Sequence, residues 1–402
     1  MEVAVIGGGA AGFFSAISCK SHHPGARVTI YEKSDKLLAK VKVSGGGRCN
    51  VTHACFSIPE LAKQYPRGEK HLKKSFTLFG VQDTINWFES RGVKLKTEED
   101  SRMFPVSDDS QTIIDCLVKE AQKLGVNIQS HQQILSIHKE EKGFKLVLKE
   151  KVVYPEKVIV ASGGAPKLSG FDWLKNLGHH IEPPVPSLFT FNMPNEPIRE
   201  LMGIVADPVS IHVQGNKLKQ TGPLLVTHWG MSGPAVLKLS AWGAKELNKM
   251  NYWFKVQVNW VGENENTVRE KLLQGFEEMK KRKVANKNPF QLPQRLWSFL
   301  LKKSEINEGV SWIDLNKTKV NKLVNTLLND EYQVEGKTTF KEEFVTCGGV
   351  SLMDVEMDTI ESKVCRGLYF AGEVLDIDGV TGGFNFQAAW TTGFIAGRLL
   401  SH

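Results

Sequence analysis

Residues 2–20, EVAVIGGGAAGFFSAISCK, decide the fold. An apolar run enters the motif Gly7-x-Gly9-x-x-Gly12, and a small-residue segment typical of a helix follows. A second apolar run, residues 28–31, ends on Glu32, an acid 20 residues beyond the last glycine of the motif. This order predicts a strand–turn–helix–strand unit whose glycines let a pyrophosphate approach the helix N-terminus, while the acid accepts hydrogen bonds from a ribose. The alternative is a glycine-rich turn that binds no ligand.

A second glycine-rich segment, Ser44-Gly45-Gly46-Gly47-Arg48-Cys49-Asn50, lies in a predicted loop. Consecutive glycines cannot fill a core, and they let backbone amides approach a ligand closely. Arg48 would add a cation near a phosphate or a reduced flavin. The alternatives are a flexible surface loop and, for Cys49, a packed thiol rather than a reactive one.

A third motif lies near the C-terminus, where Ala371-Gly372-Glu373 follows a predicted strand. Glu373 is placed to bind the polyol chain of a flavin. The turn at Gly382-Gly383 aims the N-terminus of the last predicted helix, about residues 387–400, at a ligand, and its positive end would stabilise a reduced flavin ring. The alternative is an ordinary strand–turn–helix connection. Together the three motifs favour one extended dinucleotide, FAD, and no second Gly-x-Gly-x-x-Gly motif is found for a nicotinamide domain.

The composition is that of a globular protein. The chain has 402 residues, a net charge of +7 and 41% hydrophobic residues. No apolar run approaches the roughly 20 residues that span a bilayer, and no secretion signal begins the chain. The six cysteines show no metal-ligand or Cys-x-x-Cys spacing, so we expect reduced thiols, no metal site and a cytoplasmic location.

The two ends of the chain are alike in pattern and the middle differs. A proline-rich stretch, residues 183–197, marks the change, short β-rich segments follow to about residue 260, and residues 264–330 are helical and lysine-rich. The patterns also predict helices near 70–91 and 110–124 and a β-hairpin at 134–149. We therefore expect one doubly wound α/β domain, built from both chain ends, with an insertion near 188–340.

The motifs together resemble the bacterial FAD-dependent oxidoreductase family that includes aminoacetone oxidases and BaiN-like dehydro-bile-acid reductases. The matching elements are residues 5–12, the Gly45–Asn50 run with Thr52 and His53, residues 102–105, residues 227–234 and residues 367–387. The resemblance implies a Rossmann-like FAD-binding domain of the two-dinucleotide-binding type, interrupted by a β-barrel-like domain that carries a small helical domain. The implied boundaries are 1–187 with 341–402, 188–262 with 331–340, and 263–330.

The motifs and the resemblance together give the expected site. At the adenosine and pyrophosphate end, the cofactor-binding residues are Gly7, Gly9, Ala10, Ala11, Gly12, Glu32, Lys33 and Ile134. Along the pyrophosphate and flavin, they are Ser44, Gly45, Gly46, Gly47, Arg48, Cys49, Asn50, Ala161, Ser162, Gly163, Gly372, Glu373, Gly382, Gly383, Phe384 and Asn385.

Two residues are candidates for catalysis. His228 lies in a segment that resembles a lid over the flavin, although Ser232 and Pro234 in the same segment fit the start of a helix. Asp376, close to the flavin-facing turn, is a candidate proton donor, and a turn-forming aspartate is the alternative. The basic run Lys280–Lys283 fits either a phosphate contact or a solvated helix end, and we expect the latter.

These observations predict an FAD-dependent oxidoreductase that transfers a hydride between the flavin and a small organic substrate. FAD is expected to bind non-covalently, with NADPH or NADH as a candidate transient donor. We expect no membrane or nucleic-acid partner. Two alternatives stay open: an FAD-dependent RNA-modifying protein, motivated by the basic run, and a non-enzymatic flavin-binding redox sensor.

Overall fold

A computed structural model describes residues 1–339 and 345–401. The chain divides into two units, Met1–Ser187 with Phe340–His402 and Leu188–Thr339. The predicted boundary between residues 340 and 341 lies outside the described residues, and the assignment of three domains stays a prediction.

The strands and α-helices follow one another in a mixed order along the chain. The strands are β1 (Glu2–Ile6), β2 (Arg27–Tyr31), β3 (Thr52–His53), β4 (Leu95–Thr97), β5 (Arg102–Pro105), β6 (Asn127–Gln129), β7 (Ile134–Glu140), β8 (Gly143–Leu148), β9 (Val152–Val153), β10 (Lys157–Val160), β11 (Ile181–Ser187), β12 (Thr190–Asn192), β13 (Val205–Val213), β14 (Lys219–Thr227), β15 (Gly230–Ser232), β16 (Trp253–Asn259), β17 (Asp330–Glu335), β18 (Lys337–Thr338), β19 (Val345–Val350), β20 (Val355–Glu356), β21 (Glu361–Ser362) and β22 (Leu368–Phe370). The α-helices are α1 (Ala10–His22), α2 (Ala39–Val43), α3 (Ile58–Ala62), α4 (Glu69–Leu78), α5 (Val81–Glu89), α6 (Ser110–Lys123), α7 (Asp172–Lys175), α8 (Pro234–Trp242), α9 (Ala244–Lys249), α10 (Glu265–Met279), α11 (Gln294–Lys303), α12 (Lys317–Leu328) and α13 (Phe384–Gly397).

The first unit is organised by a sheet in the order β20-β21-β22-β10-β1-β2-β6. Strands β22, β10, β1, β2 and β6 run parallel, and β20 and β21 extend the sheet antiparallel. The central strands β1 and β10 are almost wholly apolar and buried, as expected for a parallel sheet covered on both faces. Because β1 and β10 come from one end of the chain and β22 from the other, the two chain ends build one sheet.

Helices α1 and α13 pack against each other at glycines. A Cβ at Gly393 would lie 2.9 Å from the Ala11 carbonyl oxygen, and one at Gly397 would lie 2.4 Å from that of Ser15. These glycines therefore allow a backbone-to-backbone approach that any larger side chain would prevent. Buried Ser18 adds a hydrogen bond across the pair, from its hydroxyl to the Phe394 carbonyl at 2.7 Å.

Smaller sheets complete the first unit in the described residues. They are β11-β19, β3-β5-β4 and β7-β8-β9. The predicted hairpin at 134–149 is confirmed, with β7 and β8 antiparallel. The predicted helix over 70–91 is two helices, α4 and α5, because the chain breaks at Gly80, where a Cβ would lie 2.9 Å from the Phe76 carbonyl oxygen.

The second unit contains an antiparallel sheet in the order β17-β16-β13-β14-β15-β12-β18. Strands β17 and β18 are joined by the single residue Gly336, so the chain itself connects the first and last strands of the sheet. This continuity curls the sheet into a barrel-like form. Helix α8 begins with Pro234, as predicted, but the N-cap is Gly233 and Ser232 belongs to β15. The predicted capping role of Ser232 is therefore wrong, since its backbone is engaged in the sheet.

The helices α10, α11 and α12 share one apolar core with this sheet. Fully buried Trp297 and Trp312 from the helical segment belong to the same cluster as Val256 and Val258 of β16. The side chains of Asn264 and Asn316 cap α10 and α12 by accepting hydrogen bonds from Thr267 and Lys319 amides at 3.1 and 2.9 Å, as asparagine commonly does at a helix start. Within residues 1–339 and 345–401, no helix is both long enough and apolar enough to cross a bilayer.

Candidate cofactor and active site

The carboxyl ends of four parallel strands meet at one edge of the first unit's sheet. The Gly7 amide donates to the last residue of β2, the Ala161 amide to the last residue of β1 and the Ala371 amide to the last residue of β10, each at 2.8 Å. The segments that follow β1, β2, β10 and β22 therefore lie side by side. In open α/β sheets this edge is where ligands bind. The first glycine motif follows β1, Glu32 follows β2, and Ala371-Gly372-Glu373 follows β22.

The turn after β1 contains glycines of two kinds. A Cβ at Gly12 would lie 1.9 Å from the Gly7 carbonyl oxygen, and one at Gly7, where φ is +111°, would lie 2.4 Å from that of Ala161. These two glycines are required by close packing. A Cβ at Gly9 would meet no atom within 4 Å, so the space in front of this residue is open. Gly9 is also the N-cap of α1 and makes no side-chain cap, which leaves the first amides of α1, from Ala10 and Ala11 onward, directed at that space.

Glu32 lies directly after β2 and is partly buried. One carboxylate oxygen accepts from the Gly8 amide at 2.8 Å, and the other accepts from the Ser34 amide and hydroxyl at 2.9 Å. These bonds hold the carboxylate against the glycine turn. Since each oxygen accepts two hydrogen bonds, they leave one acceptor position free, on the oxygen that contacts Gly8. The neighbouring Lys33 is exposed, and Ile134 is half-buried at the start of β7.

The second glycine segment forms a 3-10 turn, Ser44–Gly47. Gly46 and Gly47 have positive φ angles and open space where a Cβ would stand, whereas Gly45 packs on the Phe104 ring. The Arg48 guanidinium stacks over that ring at 4.0 Å and donates to the Glu98 carboxylate at 2.6 Å. The structure thus pairs the predicted cation with a carboxylate, and a phosphate or flavin contact of Arg48 stays a prediction.

Cys49 is fully buried. Burial raises the pKa of its thiol to about 12. Only the thiolate is a nucleophile, so the structure favours the interpretation of Cys49 as a packed thiol over that of a reactive one.

The turn before α13 packs onto the glycine segment. A Cβ at Gly383, where φ is +95°, would lie 2.6 Å from the Thr52 carbonyl oxygen and 2.8 Å from Oδ1 of Asn50. Gly383 is the N-cap of α13 and provides no side-chain cap. The Asn385 amide group clamps the same turn, donating to the Gly379 carbonyl and accepting from the Gly379 amide, both at 2.9 Å. The N-terminus of a long, buried helix is therefore fixed beside residues 44–50.

Glu373 begins the segment after β22. It accepts from the Thr346 amide at 2.8 Å and pairs with the Lys40 ammonium at 2.5 Å. Gly164, after β10, packs against both Thr346 and Glu373, since a Cβ there would lie 2.4 Å from Oγ1 of Thr346 and 2.8 Å from Oε1 of Glu373. Next to it, Ser162 is exposed and Gly163 has open space. Gly372 packs on Ala11, where a Cβ would approach within 2.8 Å.

Two buried polar atoms at this edge make no hydrogen bond to any described residue: Oδ1 of Asn50 and Oγ1 of Thr346. A buried polar atom without a partner costs free energy, so both indicate a ligand with polar groups. The two helix N-termini, the open glycines and the Glu32 carboxylate are the groups that a dinucleotide with a pyrophosphate and hydroxyl-bearing chains requires. The residues present therefore fit FAD.

Two aspartates lie in the loop before α13. Oδ1 of Asp376 accepts from the Gly348 amide at 3.0 Å, and the residue is partly buried. Asp378 is fully buried, pairs with the Arg67 guanidinium and accepts from the Ser187 hydroxyl at 2.6 Å. Burial outweighs these partners and raises the pKa of Asp378 to about 6. Asp378 thus holds the loop, and Asp376 is the aspartate that retains partial exposure.

His228 belongs to the second unit and is exposed, with its ring edge-on to Trp229 at 4.4 Å. Its carbonyl oxygen accepts from Nε of Arg199 at 2.7 Å. The catalytic role of His228 stays a prediction.

Sequence reasoning did not assign Thr346 or His53 to the site. The His53 ring stacks on buried Phe384 at 4.6 Å, and its Nδ1 donates to the Gly382 carbonyl at 3.0 Å. His53 follows Asn50 by three residues, so its place beside the second glycine motif was the available signal. Thr346 belongs to no motif, and the structure places it at this edge, where its amide donates to the Glu373 carboxylate.

The chain is similar to known proteins over almost its whole length. The family model described as the HI0933-like protein Rossmann domain matches residues 1–399. The 3-dehydro-bile acid delta(4,6)-reductase of Clostridium scindens is 28% identical over 408 residues, covering 99% of this chain and 98% of the relative. The ribosomal RNA dihydrouridine synthase of Escherichia coli K12 is 31% identical over 402 residues, covering 97% and 96%.

Among solved structures, the 3-ketosteroid delta1-dehydrogenase of Sterolibacterium denitrificans is similar in fold, with a TM-score of 0.52 and 12% identity over 98% of both chains. The 3-ketosteroid-delta4-(5alpha)-dehydrogenase of Rhodococcus jostii has a TM-score of 0.50 and 14% identity, covering 98% of this chain and 97% of that one. The predicted fold, a Rossmann-like FAD-binding domain built from both chain ends with a barrel-like insertion, is confirmed.

Proposed function

Given that the chain belongs to the HI0933-like Rossmann-domain family and is an FAD-dependent oxidoreductase, we propose that it reduces a carbon–carbon double bond conjugated to a carbonyl. One relative is named for reducing a dehydro-bile acid and the other for making dihydrouridine. Both names describe the saturation of a ring double bond. NADPH or NADH is the proposed donor, and FAD is proposed to bind non-covalently.

The double-bond chemistry is inferred from the names of these two relatives, and the observation that carries the placement of FAD is the meeting of two helix N-termini with the glycine segments at one sheet edge. The first amides of α1 lie before open space at Gly9 and are proposed to bind the pyrophosphate. Glu32, held by the Gly8 amide, is proposed to accept from a ribose hydroxyl. When bound, FAD supplies hydride transfer at its N5 atom.

The flavin end is proposed to lie between residues 44–50 and the N-terminus of α13. The positive end of this helix favours negative charge, and Gly383 holds it against Thr52. Asn50 and Thr346 offer the polar atoms that have no partner among the described residues. The chain thus supplies orientation and a fixed positive potential, both of which need no reorganisation during the reaction.

Reduction of a conjugated double bond also requires a proton at the carbon next to the carbonyl. Asp376 is the proposed donor, and His228 is the alternative donor. The Gly348 amide fixes the orientation of the Asp376 carboxylate. We expect Asp376→Asn to slow substrate reduction by about 100-fold, within the range for general acid catalysis, without changing flavin reduction by the donor. Asp35→Asn, on an exposed position after β2, serves as the control.

The test begins with the absorbance spectrum of the purified protein, followed by anaerobic NADPH or NADH. Bleaching of a flavin spectrum by the nucleotide identifies the donor. A 3-keto-4-ene steroid and a uridine-containing RNA hairpin are then added separately to the reduced protein, without oxygen. Return of the flavin spectrum with one of them, and a product two hydrogens heavier by mass spectrometry, supports the proposal. A reduced flavin that neither compound oxidises, or a protein that binds no FAD after reconstitution, contradicts it.

The RNA-modifying alternative is favoured by one observation, the place of the positive charge. The excess of lysine and arginine over acidic residues lies almost entirely within residues 188–339. A small neutral or anionic steroid gives no reason for an extended positive unit, whereas a polyanion does. A uracil base in RNA is therefore our second candidate substrate.

A further inference from the structure

The charge of the protein is unevenly divided. Residues 188–339 contain 21 lysines and arginines against 15 acidic residues, a net charge of +6, whereas the remaining residues contain 30 against 29. The second unit therefore carries nearly the whole net charge of +7. Such a concentration of one sign attracts polyanions and raises their association rate.

Within this unit, the run Lys280–Lys283 is exposed and unneutralised. In the part of the chain that the structure describes, these four side chains make no ion pair or hydrogen bond. Neighbouring cations are paired, since Arg269 contacts Glu265 at 2.8 Å and Lys271 contacts Glu263 at 2.5 Å. The run thus differs from an ordinary charged helix surface, on which both signs alternate.

The backbone beneath the run is fixed. The Lys280 carbonyl accepts from the Ile313 amide at 3.1 Å, and the Arg282 carbonyl accepts from the Trp312 amide at 3.0 Å. Trp312 is fully buried in the core of the unit, so the cations project from a rigid base. Attraction to the C-terminus of α10 would favour Lys280, but the effect ends within the last turn and does not explain the cations beyond it.

Three further lysines are exposed or half-exposed and have no side-chain partner in the described residues. Lys287 follows the run by four residues, and Lys317 and Lys319 lie in the first turn of α12, shortly after Trp312 and Ile313. The exposed acids on the neighbouring segments are Glu277, Glu278, Glu308 and Asp314, four against seven cations, so positive charge is in excess. Ile313 is 61% exposed next to the run. Leu273 of α10, seven residues before Lys280, is 63% exposed. Two separate apolar side chains do not form the broad apolar face that anchors a helix in lipid, and this favours a nucleic-acid partner over a membrane.

We propose that Lys280–Lys283, Lys287, Lys317 and Lys319, here called the basic surface, bind the phosphate backbone of RNA. The proposal rests on the second candidate function and assigns its substrate-binding surface. Lysines contact phosphates as point charges and carry no sequence information. The basic surface therefore supplies affinity and position, and the choice of base is left to the catalytic site.

The test measures binding of a fluorescein-labelled RNA hairpin with a uridine loop by anisotropy, using the full-length, FAD-loaded protein from about 50 to 200 mM KCl. One variant carries K280Q, K281Q, R282Q and K283Q. The control variant carries K94Q, K119Q, K142Q and K149Q, four exposed lysines of the first unit without ion pairs among the described residues. Each variant loses four positive charges, so the two proteins have the same net charge. Flavin reduction by NADPH is measured in parallel.

The first variant is expected to lose at least tenfold in affinity at low salt, and its slope of log K against log salt is expected to fall by about 3, since each phosphate contact contributes roughly 0.7–0.9. The control is expected to keep the slope of the unmodified protein. Equal losses in both variants, no binding by the unmodified protein, or preferential binding to phosphatidylserine vesicles overturn the basic surface. If the RNA binds but does not reoxidise the reduced flavin, the second candidate function fails while the basic surface stands.

Discussion

Gly9→Ala separates a ligand-binding glycine from a packing glycine. A Cβ at Gly9 meets no described atom within 4 Å, and its φ of −91° is accessible to alanine. The polypeptide alone therefore tolerates the methyl group. If the pyrophosphate binds in front of Gly9, the same methyl group occupies space that the phosphate oxygens need to reach the first amides of α1.

The magnitude follows from the bonds at risk. A hydrogen bond to a charged group contributes about 1.5–3 kcal/mol, so the loss of one amide–phosphate bond lowers FAD affinity roughly 10- to 150-fold. The free energy of unfolding of the apoprotein should change by less than about 1 kcal/mol, because alanine is a weaker N-cap than glycine but restricts the unfolded chain. The two effects are therefore separable.

The assay is FAD titration of the apoprotein by fluorescence quenching, with urea unfolding of the same apoprotein. Gly25→Ala is the matched control, since Gly25 also has open space and no positive φ but lies in the turn between α1 and β2. An unchanged FAD affinity in Gly9→Ala would refute the placement of the pyrophosphate. A large loss of apoprotein stability would refute the statement that only a ligand needs this space.

Three further predictions follow from packing and burial. Gly12→Ala should lower the unfolding free energy of the apoprotein by about 1–3 kcal/mol or more, because its Cβ would lie 1.9 Å from the Gly7 carbonyl oxygen; urea unfolding equal to that of the unmodified protein contradicts this. Burial raises the pKa of Asp378 from 3.8 to about 6, so the folded protein binds this proton more tightly than the unfolded chain does. The free energy of unfolding should therefore rise by up to roughly 3 kcal/mol as the pH falls from above 6 to below 3.8. Asp378→Asn should lack this rise, so the unfolding free energy of the unmodified protein minus that of the variant should be larger at pH 4.5 than at pH 7.5, and a constant difference opposes the reasoning. Cys49, buried with a pKa of about 12, should stay unmodified by iodoacetamide in the native protein, and mass spectrometry that finds it alkylated there would show that the loop opens.

Much of the fold was predictable because its signals are local. The apolar run into Gly7-x-Gly9-x-x-Gly12, followed by an acid after the next strand, specifies a β-α-β unit through steric and dipole effects within about 30 residues. The strands at either end of the chain were identifiable by the same local pattern. The break at Gly80 was not predicted, because it depends on a close approach to the Phe76 carbonyl that helix periodicity does not express.

The site was only partly predictable, because a motif names residues and not their partners. The sequence presented Arg48 as a cation near a phosphate or a flavin, and the structure adds a carboxylate partner, Glu98, 50 positions away. Thr346 carries no motif, and its contact at the sheet edge is with Glu373, 27 positions away. The raised pKa of Asp378 likewise depends on burial, which no local pattern reports.

The sequence by itself therefore determined that a dinucleotide-binding unit exists and which glycines build it, since turn geometry and helix dipoles act between neighbouring residues. Only the tertiary structure decided which glycines are filled by packing and which face open space, as at Gly12 and Gly9. It also decided which cations stay unpaired, as Lys280–Lys283 do within the described residues while Arg48 does not. Both distinctions depend on how close atoms from different segments of the chain come to each other, and tertiary packing sets those distances.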